Sequence, residues 1–310
     1  MRQLSIAVGI AAYLAPGLLA QKTLTWEQAK QELEATNPTL RASRIGIQES
    51  RADEITAYLR PNPDLTVSID QISPLTTPDY PYRPFSDSVP LVSTSYLIER
   101  RHKRSLRRES AQESTAIAIS ELDDQRRNLL FDLRTAFIQV LQQKSVLAVT
   151  RESLEFYDRS LAVSRERFKA GDIAQVDLDR LELQRVQFET DVQTALVNLR
   201  TAKIQLQMLL YDRTPIEKLD VTGPFDFKEI LNPLEELRQA AFDSRADLRA
   251  AIQSVDKAKT DYRLAVANGS TDPIFLLDVG REQPVRAYVG AGINIPLRIF
   301  DRNQIGRAHV

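Results

Sequence analysis

The feature that most constrains this chain is a stretch of 70 residues, 101–170, that contains neither glycine nor proline. Gly171 interrupts the pattern, and residues 172–214 again lack both residue types before Pro215. Both stretches carry apolar residues at spacings of three and four, as amphipathic helices require. They therefore predict a long helical hairpin over 101–214 that turns at Gly171. At 1.5 Å per residue, the first arm is about 100 Å long.

Each arm of the predicted hairpin has an apolar stripe. The first stripe consists of Leu122, Leu129, Leu133, Ala136, Phe137, Val140 and Leu141. The second consists of Leu178, Leu181, Val186, Val192, Leu196, Leu199 and Ile204. A stripe of this length needs partner helices along all of it. An autonomous antiparallel coiled coil is the structural alternative to a larger helical assembly.

Composition excludes most enzyme chemistry. The chain has no cysteine and two histidines, so thiol nucleophiles, disulfides and cysteine-ligated metals are excluded and a His-rich centre is unsupported. The carboxylates Asp172, Asp177 and Asp179 have no His, Cys or Met nearby in sequence. We therefore predict no enzyme, no cofactor and no metal site. Lys plus Arg is 41 against 42 for Asp plus Glu, which gives no global positive field for nucleic acid.

Residues 1–20 are typical of a secretory signal. Arg2 supplies the positive charge, an apolar run follows, and Ala20 offers a small residue for cleavage. A membrane anchor is the alternative, but the run is shorter than the roughly 20 residues that a spanning helix needs. No other stretch of the sequence is apolar enough to span a membrane as a helix. Any contact with a membrane core would then use strands in a closed barrel. A Gram-negative periplasm or outer membrane is the predicted location.

The sequence on either side of the hairpin repeats itself. Thr25 and Gln28 form a capping-box pattern at the start of one helix, and Pro38 begins the next, which Pro61 ends. The start at Asn232-Pro233 resembles the first one at an offset of 208 residues. These patterns predict paired helices over 21–60 and again over 215–270.

Strand-like segments follow each pair of helices, over 61–100 and 271–300. Leu65, Val67 and Ile69 alternate with polar residues, and residues 287–295 alternate in the same way. Apolar-out, polar-in strands suit a transmembrane barrel, although a half-buried soluble sheet has the same period. Four strands cannot enclose water, so the barrel interpretation requires oligomerisation. The link that contains Pro74, Pro78, Pro81 and Pro84 is predicted to be an exposed loop.

The assembled pattern resembles the TolC-like outer membrane efflux proteins, and among them the CzcC-like branch found beside heavy-metal pumps. The matching segments are Leu24-Thr25-Trp26-Glu27-Gln28-Ala29, Asn37-Pro38-Thr39-Leu40, residues 167–173 with Asp177-Leu178, and residues 295–304. The resemblance implies a mainly α fold with a small β part. Each protomer of a homotrimer gives four strands to one transmembrane β-barrel, and helical hairpins to a periplasmic coiled-coil tunnel.

The function that this resemblance implies is a passive outer membrane duct of a tripartite efflux system. Its implied partners are a periplasmic adaptor, an inner-membrane RND-type pump reached through that adaptor, and outer membrane lipid. A duct for type I protein secretion is the alternative within the class. A periplasmic coiled-coil adaptor or a structural protein is the alternative outside it. The sequence does not identify the cargo.

The end of the sequence departs from the family pattern. Residues 301–310 are expected to begin a second long hairpin that the sequence does not continue, and residues 305–310 are expected to be artefactual. The acidic gate residues of the family are expected in that second hairpin.

The hairpin turn is the predicted docking site for the adaptor. Gly171 permits the turn, and Asp172 is predicted to cap the returning helix. A purely structural turn is the alternative. The residues assigned to docking are Arg167, Lys169, Gly171, Asp172, Ile173 and Asp177.

A basic cluster precedes the first arm, with six basic residues between positions 100 and 108. Contact with lipid headgroups is one interpretation, nucleic acid is a second, and a solvated helix end is the plain alternative. Basic residues at a helix N-terminus oppose the macrodipole, which favours an anionic partner. The residues assigned to headgroup contact are Arg100, Arg101, Lys103 and Arg104.

Overall fold

A computed structural model describes residues 22–72, 85, 88–225, 233–282 and 285–308. The predicted signal, the proline-rich link and Asn232 lie outside these residues. The helices are α1 Trp26–Thr36, α2 Pro38–Ala57, α3 Lys103–Lys169, α4 Gln175–Leu210, α5 Leu234–Ser244, α6 Ala246–Asn268 and the short α7 Gln304–Ala308. The strands are β1 Lys22–Leu24, β2 Asp64–Asp70, β3 Val89–Leu97, β4 Leu219–Val221, β5 Ile274–Glu282 and β6 Val285–Asn294. Among the described residues, none of the helices has both the length and the apolar character needed to cross a bilayer.

The described residues divide into two compact units. The first unit consists of residues 22–38 and 126–225, and the second of residues 39–125 and 233–308. Helix α3 begins in the second unit and ends in the first. The fold is mainly α with a small β part, as the sequence predicts.

A short parallel strand pair organises the first unit. Lys22 lies opposite Leu219, and Leu24 opposite Val221, so β1 and β4 join segments nearly 200 residues apart in the chain. Leu219 and Val221 are fully buried, and Leu24 is nearly so. The sequence does not predict this pair, because strands of three residues have no measurable alternation.

Helix α1 begins with the predicted capping box. The Thr25 N–H donates to Gln28 Oε1 at 2.9 Å, and the Gln28 N–H donates to Thr25 Oγ1 at 3.4 Å. The helix then buries Ala29 and Leu33 completely. At its last residue, the Thr36 hydroxyl donates to the Leu210 carbonyl of α4 at 3.0 Å. The helix is therefore fixed at both ends and along one face.

Helices α3 and α4 form the predicted hairpin, but their lengths differ. Helix α3 has 67 residues and α4 has 36, so the return arm is about half as long. The arms meet through a cluster of Leu147, Val192 and Ala195. Nearer the tip, the rings of Tyr157 and Phe188 lie 4.7 Å apart.

The buried line of α4 differs in part from the predicted stripe. Val186 is 55% exposed and Ile204 is 40% exposed, so these two residues of the predicted stripe are not packed within the single chain. The buried line instead passes from Val192 through Ala195 and Ala202 to Leu206, at spacings of three, seven and four residues. Small alanines at the seam let two helices approach closely, and a search for large apolar residues passes over them.

The second unit holds a four-stranded antiparallel sheet in the order β2-β3-β5-β6. Its register places one valine from each strand in a single row, namely Val67, Val92, Val279 and Val289. All four valines are at least 45% exposed. The predicted apolar face of the strands is therefore present and is uncovered in the single chain.

The opposite face of the sheet is polar. The Ser93 hydroxyl donates to the Asp278 carboxylate across the β3–β5 pair. On β6, Gly290 lies opposite Asp278 and Gly292 opposite Leu276, whereas Tyr288 on the same face lies opposite Gly280. Strands β2 and β6 are the outer strands of the sheet. The sheet therefore has one apolar face and one largely polar face.

The sequence repeat is visible in the helices. Helices α1 and α5 both have 11 residues, and their first residues, Trp26 and Leu234, are 208 positions apart. Two details differ from the sequence prediction. Helix α2 ends at Ala57, three residues before Arg60, and the N-cap of α5 is Pro233 without a side-chain hydrogen bond.

Candidate functional site

The hairpin tip is closed by a Schellman motif at the end of α3. The Asp172 N–H donates to the Arg167 carbonyl at 2.9 Å, and the Gly171 N–H donates to the Phe168 carbonyl at 3.0 Å. Gly171 has a φ of +86°, and a Cβ built there would meet no atom within 4 Å. The requirement for glycine is therefore one of backbone conformation, as the sequence predicts.

The predicted cap of the return helix was wrong. Helix α4 begins at Gln175, and its N-cap is Ala174, which has no side chain able to cap. Asp172 lies three residues before the helix and remains exposed. Asp177 instead supplies negative charge in the first turn, where the helix dipole favours it, and it pairs with Arg180 at 3.5 Å.

The predicted docking side chains differ in their exposure and in their bonding partners. Arg167 is exposed, and its guanidinium has no hydrogen-bond or ion-pair partner among the described residues. The Lys169 ammonium instead pairs with Glu166 at 2.7 Å. Ile173 is half-buried. The exposed apolar side chain at the tip is Val176, at 58%. The sequence does not identify Val176 as exposed, because nothing in its spacing separates it from the packed stripe.

The tip as a whole suits a small contact with another protein. Within a few residues it offers a free guanidinium at Arg167, the carboxylates of Asp172 and Asp177, and one apolar side chain at Val176. The described residues hold no group of His, Asp and Glu side chains that could bind a metal ion. Asp179, named with the tip carboxylates, accepts a hydrogen bond from Gln175 at 2.7 Å.

The basic cluster divides into two sets at the start of α3. Lys103 is only 4% exposed, and its ammonium pairs with Asp272 at 2.5 Å and donates to the Ser270 carbonyl at 2.9 Å. The Arg107 guanidinium forms a bidentate salt bridge with the Glu99 carboxylate. These two side chains therefore act inside the protein, and the assignment of Lys103 to lipid headgroups was wrong. Arg100 and Arg101 are exposed.

An ionic network supports the base of the return arm in the first unit. Lys22 bridges Glu32 at 2.7 Å and Asp212 at 2.8 Å. Burial would lower the pKa of Lys22, but hydrogen bonds to Asp212 and Glu32 outweigh it and raise that pKa above its ordinary value. Burial would likewise raise the pKa of Asp212, yet hydrogen bonds from Lys22 and Thr214 hold it below its ordinary value.

Asp220 on β4 has a similar environment. Lys144 of α3 pairs with it at 2.7 Å, and Lys203 of α4 lies 3.7 Å away. Burial would raise the pKa of Asp220, but the hydrogen bond from Lys144 and the nearby positive charges lower it. The strand pair is thereby tied to both arms of the hairpin.

Comparison with known proteins gives the family. Residues 29–210 match the family model described as outer membrane efflux protein. The cobalt-zinc-cadmium resistance protein CzcC of Cupriavidus metallidurans is 24% identical over 334 aligned positions, which cover 98% of this chain and 74% of that protein.

Solved structures agree with this match. The CusC structure superposes with a TM-score of 0.72 at 14% identity, covering 96% of this chain and 72% of that one. The Campylobacter jejuni CmeC outer membrane channel superposes with a TM-score of 0.70 at 13% identity, covering 91% of this chain and 64% of that one. At these identities the superpositions establish the fold.

Proposed function

Because this chain belongs to the outer membrane efflux protein family, we propose that it is one protomer of a homotrimeric efflux duct. The chain is thus an outer membrane protein of the efflux class with a large helical part. The trimer, its docking surface, its pump and its cargo are the parts of the proposal that experiments must test.

The four-stranded sheet supports the trimer. Its row of four exposed valines would cost free energy in water, at roughly 25 cal/mol for each Å² of apolar surface. Strands β2 and β6 each have one edge without a described partner. Three copies joined at these edges would form a closed twelve-stranded barrel, in which the valines face lipid and Asp278 faces water. This combination of exposed apolar face and open edges is the observation that carries the proposal.

The hairpin supports the periplasmic tunnel. Helix α3 is about 100 Å long, and several of its large apolar side chains stay exposed in the single chain. Phe131 is 73% exposed, Phe156 65% and Val163 62%. Neighbouring copies in a ring of hairpins would cover such side chains. In this arrangement, the Gly171 turn lies at the end of the tunnel away from the sheet.

We assign adaptor docking to the tip residues Arg167, Lys169, Gly171, Asp172 and Asp177, with Val176 added and Ile173 supporting the turn. An inner-membrane RND-type pump then reaches the duct through the adaptor. Divalent cations are the first cargo to test, because CzcC is named for cobalt, zinc and cadmium resistance.

The decisive experiment changes the apolar side chain at the tip. Val176→Asp places a charge in the contact without touching the Schellman motif, because Val176 lies beyond the turn and is 58% exposed. An unpaired buried charge or polar group at the contact costs about 1–3 kcal/mol. We expect normal trimer levels in the outer membrane, weaker crosslinking to the adaptor and loss of zinc and cadmium resistance.

The matched control is Val149→Asp. Val149 is also exposed, at 61%, but lies about 30 Å along α3 from the turn. We expect this variant to keep adaptor crosslinking. Wild-type crosslinking and resistance in Val176→Asp would contradict the docking assignment, while absence of trimers in the wild type would contradict the duct itself.

A further inference from the structure

Five arginines and a histidine crowd the surface where β3 leads into α3. They are Arg60, Arg100, Arg101, His102, Arg104 and Arg108. None of the five guanidinium groups forms an ion pair with a carboxylate among the described residues. We call these six residues the junction cluster.

The nearby carboxylates are already engaged. Asp272 and Glu99 are each 15% exposed in their side chains, and they pair with Lys103 and Arg107 respectively. Among the described residues, no carboxylate therefore lies within ion-pairing distance of the five guanidinium groups of the junction cluster. Like charges held a few ångströms apart repel each other, and an anionic partner would relieve that repulsion.

Two arginines of the cluster are held by an aromatic ring. The guanidinium carbons of Arg104 and Arg108 lie 4.3 and 4.8 Å from the centroid of the Tyr58 ring. The Arg104 guanidinium also donates to the Tyr58 hydroxyl at 3.3 Å. Stacking fixes the planes of these groups without neutralising their charge, so their remaining N–H donors stay available.

A pocket of about 460 Å³ opens within the cluster. Its apolar lining includes Pro61, Leu97 and Ile98. Its charged lining consists of Arg60, Arg101, His102 and Arg104, together with Lys103 and Glu99, which are already paired with Asp272 and Arg107. The pocket is therefore amphipathic, with guanidinium donors beside aliphatic and ring carbon. A phosphate attached to a glycerol–acyl group has matching chemistry.

The pocket adjoins the apolar face of the sheet. Tyr96 lines the pocket and pairs in register with Phe275. Both rings belong to the same alternating set as Val92 and Val279, at the end of the strands nearest to α3. Aromatic residues that end an apolar band mark the depth of the headgroups in membrane strands.

We propose that the junction cluster binds the phosphate of an anionic phospholipid in the periplasmic leaflet of the outer membrane. Arg60, Arg101 and Arg104 donate to the phosphate, while Tyr96 and Ile98 lie beside the glycerol and acyl groups. This inference rests on the proposed placement of the sheet in the membrane. It adds Arg60 to the headgroup contact predicted from the sequence and removes Lys103.

The test uses the full chain extracted from outer membranes into zwitterionic detergent. Mixed micelles present fluorescent phosphatidylglycerol or phosphatidylcholine, and inorganic phosphate in large excess serves as the competitor. The test variant is Arg60→Gln with Arg101→Gln and Arg104→Gln. A second variant replaces the same three arginines by lysine. The charge-matched control replaces Arg151, Arg159 and Arg213, which lie outside the cluster, by glutamine.

We expect the wild-type chain to bind phosphatidylglycerol at least about tenfold more tightly than phosphatidylcholine. Removal of each arginine should cost about fivefold, because one basic group near an anionic surface contributes about that factor. The glutamine variant should therefore lose the preference for the anionic lipid. The lysine variant and the charge-matched control should keep it, and free phosphate should displace the lipid only weakly.

Equal binding of the two lipids by the wild-type chain would overturn the inference alone. Complete displacement by free phosphate would show an anion site without lipid recognition, and would also overturn it. Absence of the wild-type chain from the outer membrane fraction would overturn the proposed placement and this inference together. Each result is therefore distinguishable from the others.

Discussion

Helices α1 and α5 are equivalent in the sequence repeat, yet their surroundings differ. Each has 11 residues, but α1 buries Ala29 and Leu33 completely, whereas no residue of α5 is buried. Leu234, Leu237 and Phe242 of α5 are all more than half exposed. The first helix of one repeat is therefore packed within the single chain, and the first helix of the other is not.

The reason lies in what packs against each helix. Helix α1 lies against α4, and its Thr36 hydroxyl donates to the carbonyl of Leu210, which is fully buried. Lys22 of β1 also pairs with Glu32 of α1. The described residues around α5 give it no equivalent partners. An amphipathic helix with an uncovered apolar face is a contact surface, and in the proposed duct a neighbouring copy covers it.

The largest expected effect comes from creating a cavity where α1 is packed. Leu33→Ala should lower the free energy of unfolding of the first unit by about 2–5 kcal/mol, because Leu33 is fully buried. Leu237→Ala in α5 should change the stability of the single chain by about 0.5 kcal/mol or less. Urea unfolding of both variants checks the comparison, and equal losses would contradict it.

Assembly should reduce the difference in amide protection between α1 and α5. In the single chain, amides of α5 should exchange with solvent rapidly while those of α1 are protected. In the trimer, protection of α5 should rise about tenfold or more, which corresponds to roughly 1.4 kcal/mol. Hydrogen exchange measured by mass spectrometry on both forms tests this. Unchanged α5 protection after assembly would show that no neighbour covers it.

The helix N-caps allow a reciprocal test, in which the cap is removed from α1 and introduced into α5. Thr25→Ala should destabilise α1 by about 1 kcal/mol through loss of the capping box. Pro233→Thr should have the opposite effect on α5, because Glu236 occupies the N3 position that completes such a box. Exchange rates in the first turn of each helix report both changes. A stabilised α1 or a destabilised α5 would contradict the role assigned to the caps.

Acid should weaken the first unit, which contains Asp212 and Asp220, and this is the smallest of the expected effects. The folded pKa of Asp212 and of Asp220 lies below the unfolded value of about 3.9. Their contribution is therefore present above pH 4 and is lost as the pH falls through the folded values. Each such pair contributes about 0.5 kcal/mol. Asp212→Asn with Asp220→Asn should remove this pH dependence, while exchange in α5 stays the same.

The elements that were predicted correctly have a long regular pattern of residues or a clear helix start signal. The absence of glycine and proline over residues 101–170 predicted α3, and alternation at Leu65, Val67 and Ile69 predicted the exposed face of β2. Capping chemistry placed the start of α1 at Thr25 correctly. These features depend on local backbone physics, which a sequence displays directly.

Features that depend on tertiary contacts were not predictable. The β1–β4 pair joins Lys22 to Leu219 across the whole hairpin, and its strands are too short to show a pattern. Nothing in the run of basic residues separated Lys103, which pairs inside the protein, from its exposed neighbours. At the tip, Val176 became visible only once the start of α4 was known.

The central claim is that the sheet spans the outer membrane while the hairpin extends into the periplasm. The chain has no cysteine, so Ile72→Cys and Asp172→Cys each create a single labelling site. Ile72 follows β2 at the end of the sheet away from the helices, and Asp172 lies at the hairpin tip. An impermeant maleimide should label Ile72→Cys on intact cells, and Asp172→Cys only after the outer membrane is permeabilised. Labelling of Asp172→Cys but not of Ile72→Cys on intact cells would contradict the account.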